Sequence, residues 1–148
     1  MKKIILSLFL LLSFVKVYSQ NIRVANLDSF FNFKFIKGIS ASDALNDNKI
    51  FETSGGYGVT TYIFNESVGK IFVLYDGMKY EMRIVGNTNG NKDSYIYEYD
   101  TEKGVERGQF SFVHGDNGEN YLIGETTDNQ NPNLQKAWIA LIKTKNPI

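Results

Sequence analysis

The stretch that decides the fold is residues 69–86, which read GKIFVLYDGMKYEMRIVG. Apolar and polar side chains alternate around Asp76-Gly77, and an Asp-Gly pair between two such runs is a strong signal for a two-residue hairpin turn of type I′. This turn predicts the register on one face as Tyr75 with Met78, Val73 with Tyr80 and Ile71 with Met82, and on the other as Leu74 with Lys79 and Phe72 with Glu81. The second face is only half apolar, so we expect it to be partly solvated.

Outward from this hairpin, almost every segment after Phe30 has the same period-two pattern and is rich in aromatic and β-branched residues. The predicted strands lie near 29–37, 49–54, 57–65, 69–75, 78–86, 93–100, 105–114, 119–126 and 136–145. Such regular spacing with short links is typical of a meander. The sequence therefore predicts an all-β fold: an antiparallel meander in a lipocalin-like closed barrel of about eight or nine strands, with a two-sheet β-sandwich as the alternative. The comparison with lipocalins concerns architecture alone, because no Gly-x-Trp signature lies near the first strand.

Two further turns extend the register along the chain. Asn117-Gly118 is a second two-residue signal and predicts that His114 pairs with Tyr121 and Phe112 with Ile123. A four-residue loop from Thr101 to Gly104 predicts the pairs Tyr95 with Phe110, Tyr97 with Gly108 and Glu98 with Arg107. The segment 86–91 forms the loop of the remaining hairpin, which joins the predicted strand 78–86 to the predicted strand 93–100.

The one helical signal covers Ser40 to Asn46, where Ser40 is placed to cap a single turn that carries Asp43 near its start. Such a turn either plugs one end of the barrel or crosses its surface. The glycines at 55 and 56 predict a tight turn, a bulge or a sharp bend between two strands.

The derived registers place an unusually aromatic set of side chains on one face, continued by Ile123 and Glu125. The candidate ligand-binding residues of this face are Tyr95, Tyr97, Tyr99, Phe110, Phe112, His114 and Tyr121. In a closed barrel the face points inward, where it either fills the interior or lines a cavity for one small apolar ligand. Tyrosine favours a cavity, because its ring is apolar while its hydroxyl can orient a ligand.

The sequence supports binding better than catalysis. His114 is the only histidine, and although Tyr121 and Glu125 are its predicted neighbours, no nucleophile motif accompanies it. Alternating Asn and Asp residues at 87–93 resemble a calcium loop, but Lys92 stands where that loop requires glycine. We therefore predict no catalytic residue, no metal site and no cofactor. The two functional hypotheses are a non-enzymatic protein that binds a small apolar or amphipathic ligand, and a protein-interaction module, such as an inhibitor or envelope accessory protein, with a filled core.

The first nineteen residues predict export. Lys2 and Lys3 precede an apolar run from Ile4 to Val15 and a polar end at Ser19, which is typical of a cleaved signal peptide. Residues 20–148 then form a single β domain with 13 basic and 16 acidic residues, so its net charge is near −3. That balance disfavours nucleic acid as a partner, and no later segment is apolar enough to be an integral membrane span. The chain contains no cysteine, which excludes disulfides and suits a bacterial secreted or periplasmic protein.

Overall fold

The computed structural model describes residues 22–143, so the predicted signal peptide and the last five residues lie outside the described part. The elements follow in the order β1 Ile22–Ile36, α1 Ala41–Asn46, β2 Ile50–Asn65, a 3-10 turn Glu66–Val68, β3 Lys70–Tyr75, β4 Met78–Gly86, a 3-10 turn Thr88–Gly90, β5 Ser94–Thr101, β6 Gly104–His114, β7 Asn120–Thr127 and β8 Leu134–Leu141. Each strand pairs antiparallel with the next, and β8 pairs with β1. The predicted closed antiparallel meander is confirmed, and the sandwich alternative is wrong.

The strand bounds differ from prediction in three places, one of which is β8, which covers Leu134–Leu141 instead of residues near 136–145. β2 runs unbroken from Ile50 to Asn65 because Gly55 and Gly56 both pair with β1, so the described chain forms eight strands rather than nine. The first strand begins at Ile22 rather than near residue 29, since the segment before Phe30 pairs with the second half of β2.

The turn at Asp76-Gly77 has the predicted type I′ geometry. Both central residues have positive φ, 49° at Asp76 and 72° at Gly77, as this turn requires. All five predicted pairs between β3 and β4 are present. The pairs predicted between β5 and β6, including Glu98 with Arg107, are confirmed too.

The register predicted from Asn117-Gly118 is wrong by one residue. His114 pairs with Asn120 and Phe112 with Leu122, so Tyr121 opposes Val113 on the other face of the sheet. The reason is the turn itself: Gly118 N–H donates to the Gly115 carbonyl (3.0 Å), and of the two predicted turn residues only Gly118 has positive φ, 82°. The left-handed Gly118 is the last residue of this four-residue turn, so three residues, 116–118, lie between Gly115 and Glu119, one more than a two-residue turn has.

Helix α1 lies against the outer wall of the barrel. Its cap is as predicted, because the Ser40 hydroxyl accepts from the Asp43 N–H at 3.0 Å. Ala41 and Ala44 are buried in an outer cluster with residues of β1, β7 and β8, which are Phe33, Phe35, Ile123 and Ala137. The helix is therefore the surface crossover of the two predicted alternatives, and the barrel end is not plugged by it.

The main core fills the barrel interior and is separate from the outer cluster. Its buried members are Ala25, Leu27, Phe64, Ile71, Val73, Tyr95, Tyr97, Phe110, Leu122 and Ala140. We call the end of the barrel that carries the Asp76-Gly77 turn and the 128–133 loop the mouth, and the end that carries the 115–119 loop the far end.

Candidate functional site

Aromatic rings pack against one another in the middle of the barrel. Tyr95, Tyr97 and Phe110 are only 1%, 7% and 2% exposed. Tyr97 stacks on Phe110 with ring centroids 4.6 Å apart, and the Phe64 ring lies 5.0 Å from both Tyr95 and Phe112. At these separations the rings are in direct contact. The five rings therefore form packed core, and ligand space must be sought at the ends of the barrel.

Two glycines on the inner wall make room for the largest side chains. A Cβ atom at Gly108 would lie 2.5 Å from the Tyr97 hydroxyl oxygen, and one at Gly124 would lie 2.6 Å from Nε1 of Trp138. Real Cβ atoms do not approach other heavy atoms so closely, so each ring occupies the volume that its glycine leaves free. Tyr99, a further predicted site residue, is partly buried against the same cluster.

The buried tyrosines keep their protons. Burial raises the pKa of Tyr97 to about 12, and the pKa of Tyr62 rises further for the same reason. The Tyr95 hydroxyl donates to Oε1 of Glu66 at 2.7 Å, toward the far end. These hydroxyls are therefore neutral donors at physiological pH and are unsuited to act as bases.

Two predicted site residues lie outside this cluster. Tyr121 is on the opposite face, where its hydroxyl donates to Oε2 of Glu119 at 2.7 Å. His114 is exposed at the strand end, with its Nδ1 atom 2.9 Å from Oδ1 of Asn120. Glu125 lies on the outer wall, where it accepts from the Ala41 N–H at 2.8 Å and where burial raises its pKa. The hypothetical acid-base cluster of His114, Tyr121 and Glu125 is therefore wrong.

The best-formed candidate site is a pocket of about 460 Å³ near the mouth. It is lined by Asn32, Phe33, Lys34, Glu52, Ser54, Gly124, Thr126, Lys136, Ala137 and Trp138. Trp138 belongs to both the pocket and the interior cluster, because its ring lies 5.2 Å from Phe30 and 5.9 Å from Phe110. The pocket thus has an aromatic wall that is held in place by the core behind it.

Three charged side chains line this pocket, Lys34, Glu52 and Lys136, and the two lysines contact a fourth, Asp128. The side chain of Asp128 is fully buried and lies 3.1 Å from Nζ of Lys34 and 3.3 Å from Nζ of Lys136. Its hydrogen bond from the Gln130 N–H and these lysines together lower its pKa to about 2. Nζ of Lys34 also contacts Oε2 of Glu52 at 2.5 Å, and this bond together with Asp128 raises the lysine pKa. The cluster consists of two lysines and two carboxylates, so its formal charges sum to zero.

The two lysines differ in how fully their charge is neutralised. Lys34 is 19% exposed and contacts two carboxylates, whereas Lys136 is 45% exposed and its ion pair is with Asp128. Glu52 is 61% exposed, and its φ of 52° lies in the left-handed region that is unfavourable for a residue with a side chain. The Glu52 carboxylate is therefore the most exposed charged group of this cluster.

A second pocket of about 430 Å³ lies at the far end. Arg23 and Phe112 both line it, and the Arg23 guanidinium lies 3.7 Å from the centre of the Phe112 ring while it donates to Asp93 Oδ1 at 2.7 Å. His114 and Asn120 complete its rim. The guanidinium already has a ring and a carboxylate as partners, so it offers less to a ligand than Lys136, whose ion pair is with Asp128.

The residues of the mouth pocket were not identified from the sequence, because the pattern of their strand indicates the opposite orientation. In the run Phe31 to Phe35 the residues Asn32 and Lys34 alternate with three phenylalanines. In a half-buried strand this pattern predicts a polar outer face. Phe33 and Phe35 face outward instead, because α1 and its neighbours cover them, while Asn32 and Lys34 line the pocket.

Within residues 22–143, no group of three or more His, Asp or Glu side chains is arranged to hold a metal ion. In the same part of the chain, no helix has the length and apolar character needed to cross a membrane. Comparison of the chain with protein-family models, with curated proteins and with solved structures finds no match.

Proposed function

We propose that this is an exported, non-enzymatic binding protein that holds a small amphipathic anion in the pocket near the mouth. The observation that carries the proposal is the combination, in one pocket of about 460 Å³, of the Trp138 ring with the ammonium groups of Lys34 and Lys136. The volume is within the range of roughly 300–1,000 Å³ that small-molecule sites occupy. Export rests on the predicted signal peptide, residues 1–19.

The ligand chemistry follows from the wall of the pocket. An apolar body would lie against the Trp138 ring and Ala137, where water is replaced by apolar contact. An anionic head would take the Lys136 ammonium first and could then displace Glu52 from Lys34, since Glu52 is the more exposed partner. The exchange of one carboxylate for another preserves the charge of Lys34 in its partly buried position, which favours a ligand with a single negative charge.

The pocket also explains why the ligand would lie beside the aromatic cluster and not within it. Tyr97 and Phe110 are in stacking contact, and Tyr97 fills the space over Gly108. A ligand among these rings would have to displace packed side chains, which costs stability. Binding at the mouth leaves the core intact and uses Trp138 as the shared surface.

Native mass spectrometry of residues 20–148 exported by the source cell is the first test. A reproducible excess mass that is lost on denaturation supports ligand binding and gives the ligand class. A bare mass would instead favour the alternative function, a secreted or periplasmic protein-interaction module with a filled core.

The second test uses the fluorescence of Trp138, the only tryptophan of the chain, in titrations with decanoate and with decanol. We expect decanoate to bind more tightly, Lys136→Gln to weaken decanoate about tenfold, which is about 1.4 kcal/mol, and Glu52→Gln to strengthen it. Lys70→Gln is the matched control, because Lys70 is an ion-paired surface lysine outside the pocket. Equal binding of the two probes, or an equal effect of Lys70→Gln, would refute the anionic site.

A further inference from the structure

The first half of β2 has a free edge. β2 pairs with β1 along its whole length, but it pairs with β3 only from Thr60 to Asn65. The β3–β4 hairpin turns back at Asp76-Gly77, so within residues 22–143 no strand pairs with the second side of residues 50–59. The backbone N–H and C=O groups that point to that side therefore have no strand partner within the described residues.

This edge is irregular near residues 52–53 and 58–59, where the register with β1 shifts, but it carries no charge between them. Edge strands are commonly guarded by lysine, proline or inward-pointing charge, yet residues 53–59 read TSGGYGV and contain none of these. Tyr57 is 92% exposed and Val59 78% exposed. Seven uncharged residues with an open edge and exposed apolar side chains are a ready template for another strand.

We infer that this edge pairs with the same edge of a second copy of the chain, antiparallel and centred on Gly56. In this register Tyr57 of each copy lies opposite Gly55 of the other, where no atom lies within 4 Å of the Cβ position. Each tyrosine ring then covers the gap left by a glycine, an arrangement that stabilises strands. Val59 lies opposite Thr53, a pair of β-branched residues, and the seven paired residues carry no charge, so no like charges meet.

A groove at the end of the free edge matches this arrangement. It has a volume of about 820 Å³ and is lined by Gly58, Val59, Thr61, Leu74, Tyr75, Asp76, Gly77, Met78 and Lys79. Pairing must stop at Val59, because Thr60 already pairs with Tyr75. The strand of the second copy therefore ends beside this groove, whose lining includes the exposed side chains of Leu74 and Met78. By symmetry the same arrangement occurs twice.

The features favour a second copy over an unrelated peptide because one uncharged stretch supplies both strands of the pair. Two-fold dimers are also the commonest assemblies of identical chains. The paired segment is short beside the roughly 20–30 residues a side of a standard interface. We therefore expect a dissociation constant of about 1–100 μM rather than a nanomolar one.

The test uses single cysteines, which the chain itself does not contain. Residue 56 opposes itself across the proposed axis, at the separation of roughly 4.5–5.5 Å that directly opposed strand residues have and that a disulfide spans. Gly56→Cys should therefore form a covalent dimer under mild oxidation at least tenfold faster than Val68→Cys, an exposed position outside the strands. Thr53→Cys should be slow, because residue 53 opposes residue 59.

Sedimentation of the cysteine-free chain gives the independent measurement. We expect the mass to approach twice the monomer value as the concentration rises above about 100 μM, and Val59→Lys to weaken association at least tenfold while the control Val68→Lys leaves it unchanged. A monomer at all concentrations, or equal cross-linking at residues 53, 56 and 68, would overturn the inference. Association that survives Val59→Lys would place the interface elsewhere, and so would overturn it too.

Discussion

The substitution Gly124→Ala tests the packing of Trp138 on the inner wall. The new methyl carbon would lie 2.6 Å from both Cζ2 and Nε1 of the indole, about 1 Å inside the optimal separation of roughly 3.5–4.0 Å. The ring cannot easily withdraw, because it is held by Phe30, Tyr62 and Phe110 at centroid distances of 5.2, 5.6 and 5.9 Å.

Overpacking of a core costs about 1–3 kcal/mol, while the loss of glycine flexibility in the unfolded chain returns about 0.4–1 kcal/mol. We therefore expect Gly124→Ala to lower the free energy of unfolding by about 1–2 kcal/mol. With an unfolding entropy of roughly 2.1 cal/mol/K per residue, this corresponds to a fall in Tm of about 4–8 °C. The Trp138 emission should change as well, since the ring must move.

Thermal unfolding followed by circular dichroism gives the magnitude, with Gly86→Ala as the matched control. Gly86 is also a strand glycine without positive φ, and no atom lies within 4 Å of its Cβ position. The double variant Gly124→Ala with Trp138→Phe should recover part of the loss, because the smaller ring vacates the contact. A Tm for Gly124→Ala within 2 °C of the Gly86→Ala value, or strictly additive effects in the double variant, would refute the proposed packing.

Three further outcomes are expected. Ser40→Ala should lower the free energy of unfolding, measured by chemical denaturation, by about 1 kcal/mol through loss of the α1 cap. The control Ser40→Thr should retain most of the stability that the cap contributes. Tyr95→Phe should cost about 1–2 kcal/mol because Glu66 loses its donor at 2.7 Å; no loss beyond that of Tyr99→Phe would argue against this bond. The pKa of Asp128 is lowered to about 2 in the folded chain, so its contribution to stability is present above an unfolded pKa of about 3.9 and is lost as the pH falls toward 2. In acid titrations, Asp128→Asn should therefore be less stable than the parent at pH 7 and should lose less stability than the parent below pH 4. Parallel curves of stability against pH for the two proteins would exclude this role.

The fold was predictable because its signals are local. Alternation of side chains and the chemistry of Asp76-Gly77 are enough to derive a hairpin whose five pairs are all present. At Asn117-Gly118 the same reasoning failed, because the dipeptide does not reveal whether Asn117 itself takes positive φ. A shift of one residue moves every side chain to the other face, and this is why Tyr121 was assigned to the interior.

The candidate site was less predictable because it depends on contacts between distant segments. Lys34 and Asp128 are 94 positions apart in the sequence and meet only when β8 closes against β1. The aromatic residues of β5 and β6 were found correctly as an inward face, but whether rings touch or leave a cavity depends on side chains of other strands, such as Phe64. Period-two patterns carry no information about such contacts.

The position of α1 has a consequence for how the barrel stays closed. The β1–β8 pairing is the one ladder of the described barrel that joins strands from opposite ends of the sequence, for example Phe31 with Ile139, so its formation carries the largest loop-closure entropy. The outer cluster lies across this ladder, since it joins Phe33 and Phe35 of β1 to Ala137 of β8 beneath the helix. Helix α1 thus covers the β1–β8 ladder, at which the barrel closes, and helps to hold these two strands together. Amide hydrogen exchange should accordingly be slow in both β1 and β8. When the packing of α1 is weakened, the β1–β8 ladder should open first, which leaves a curved sheet with its aromatic face exposed to water.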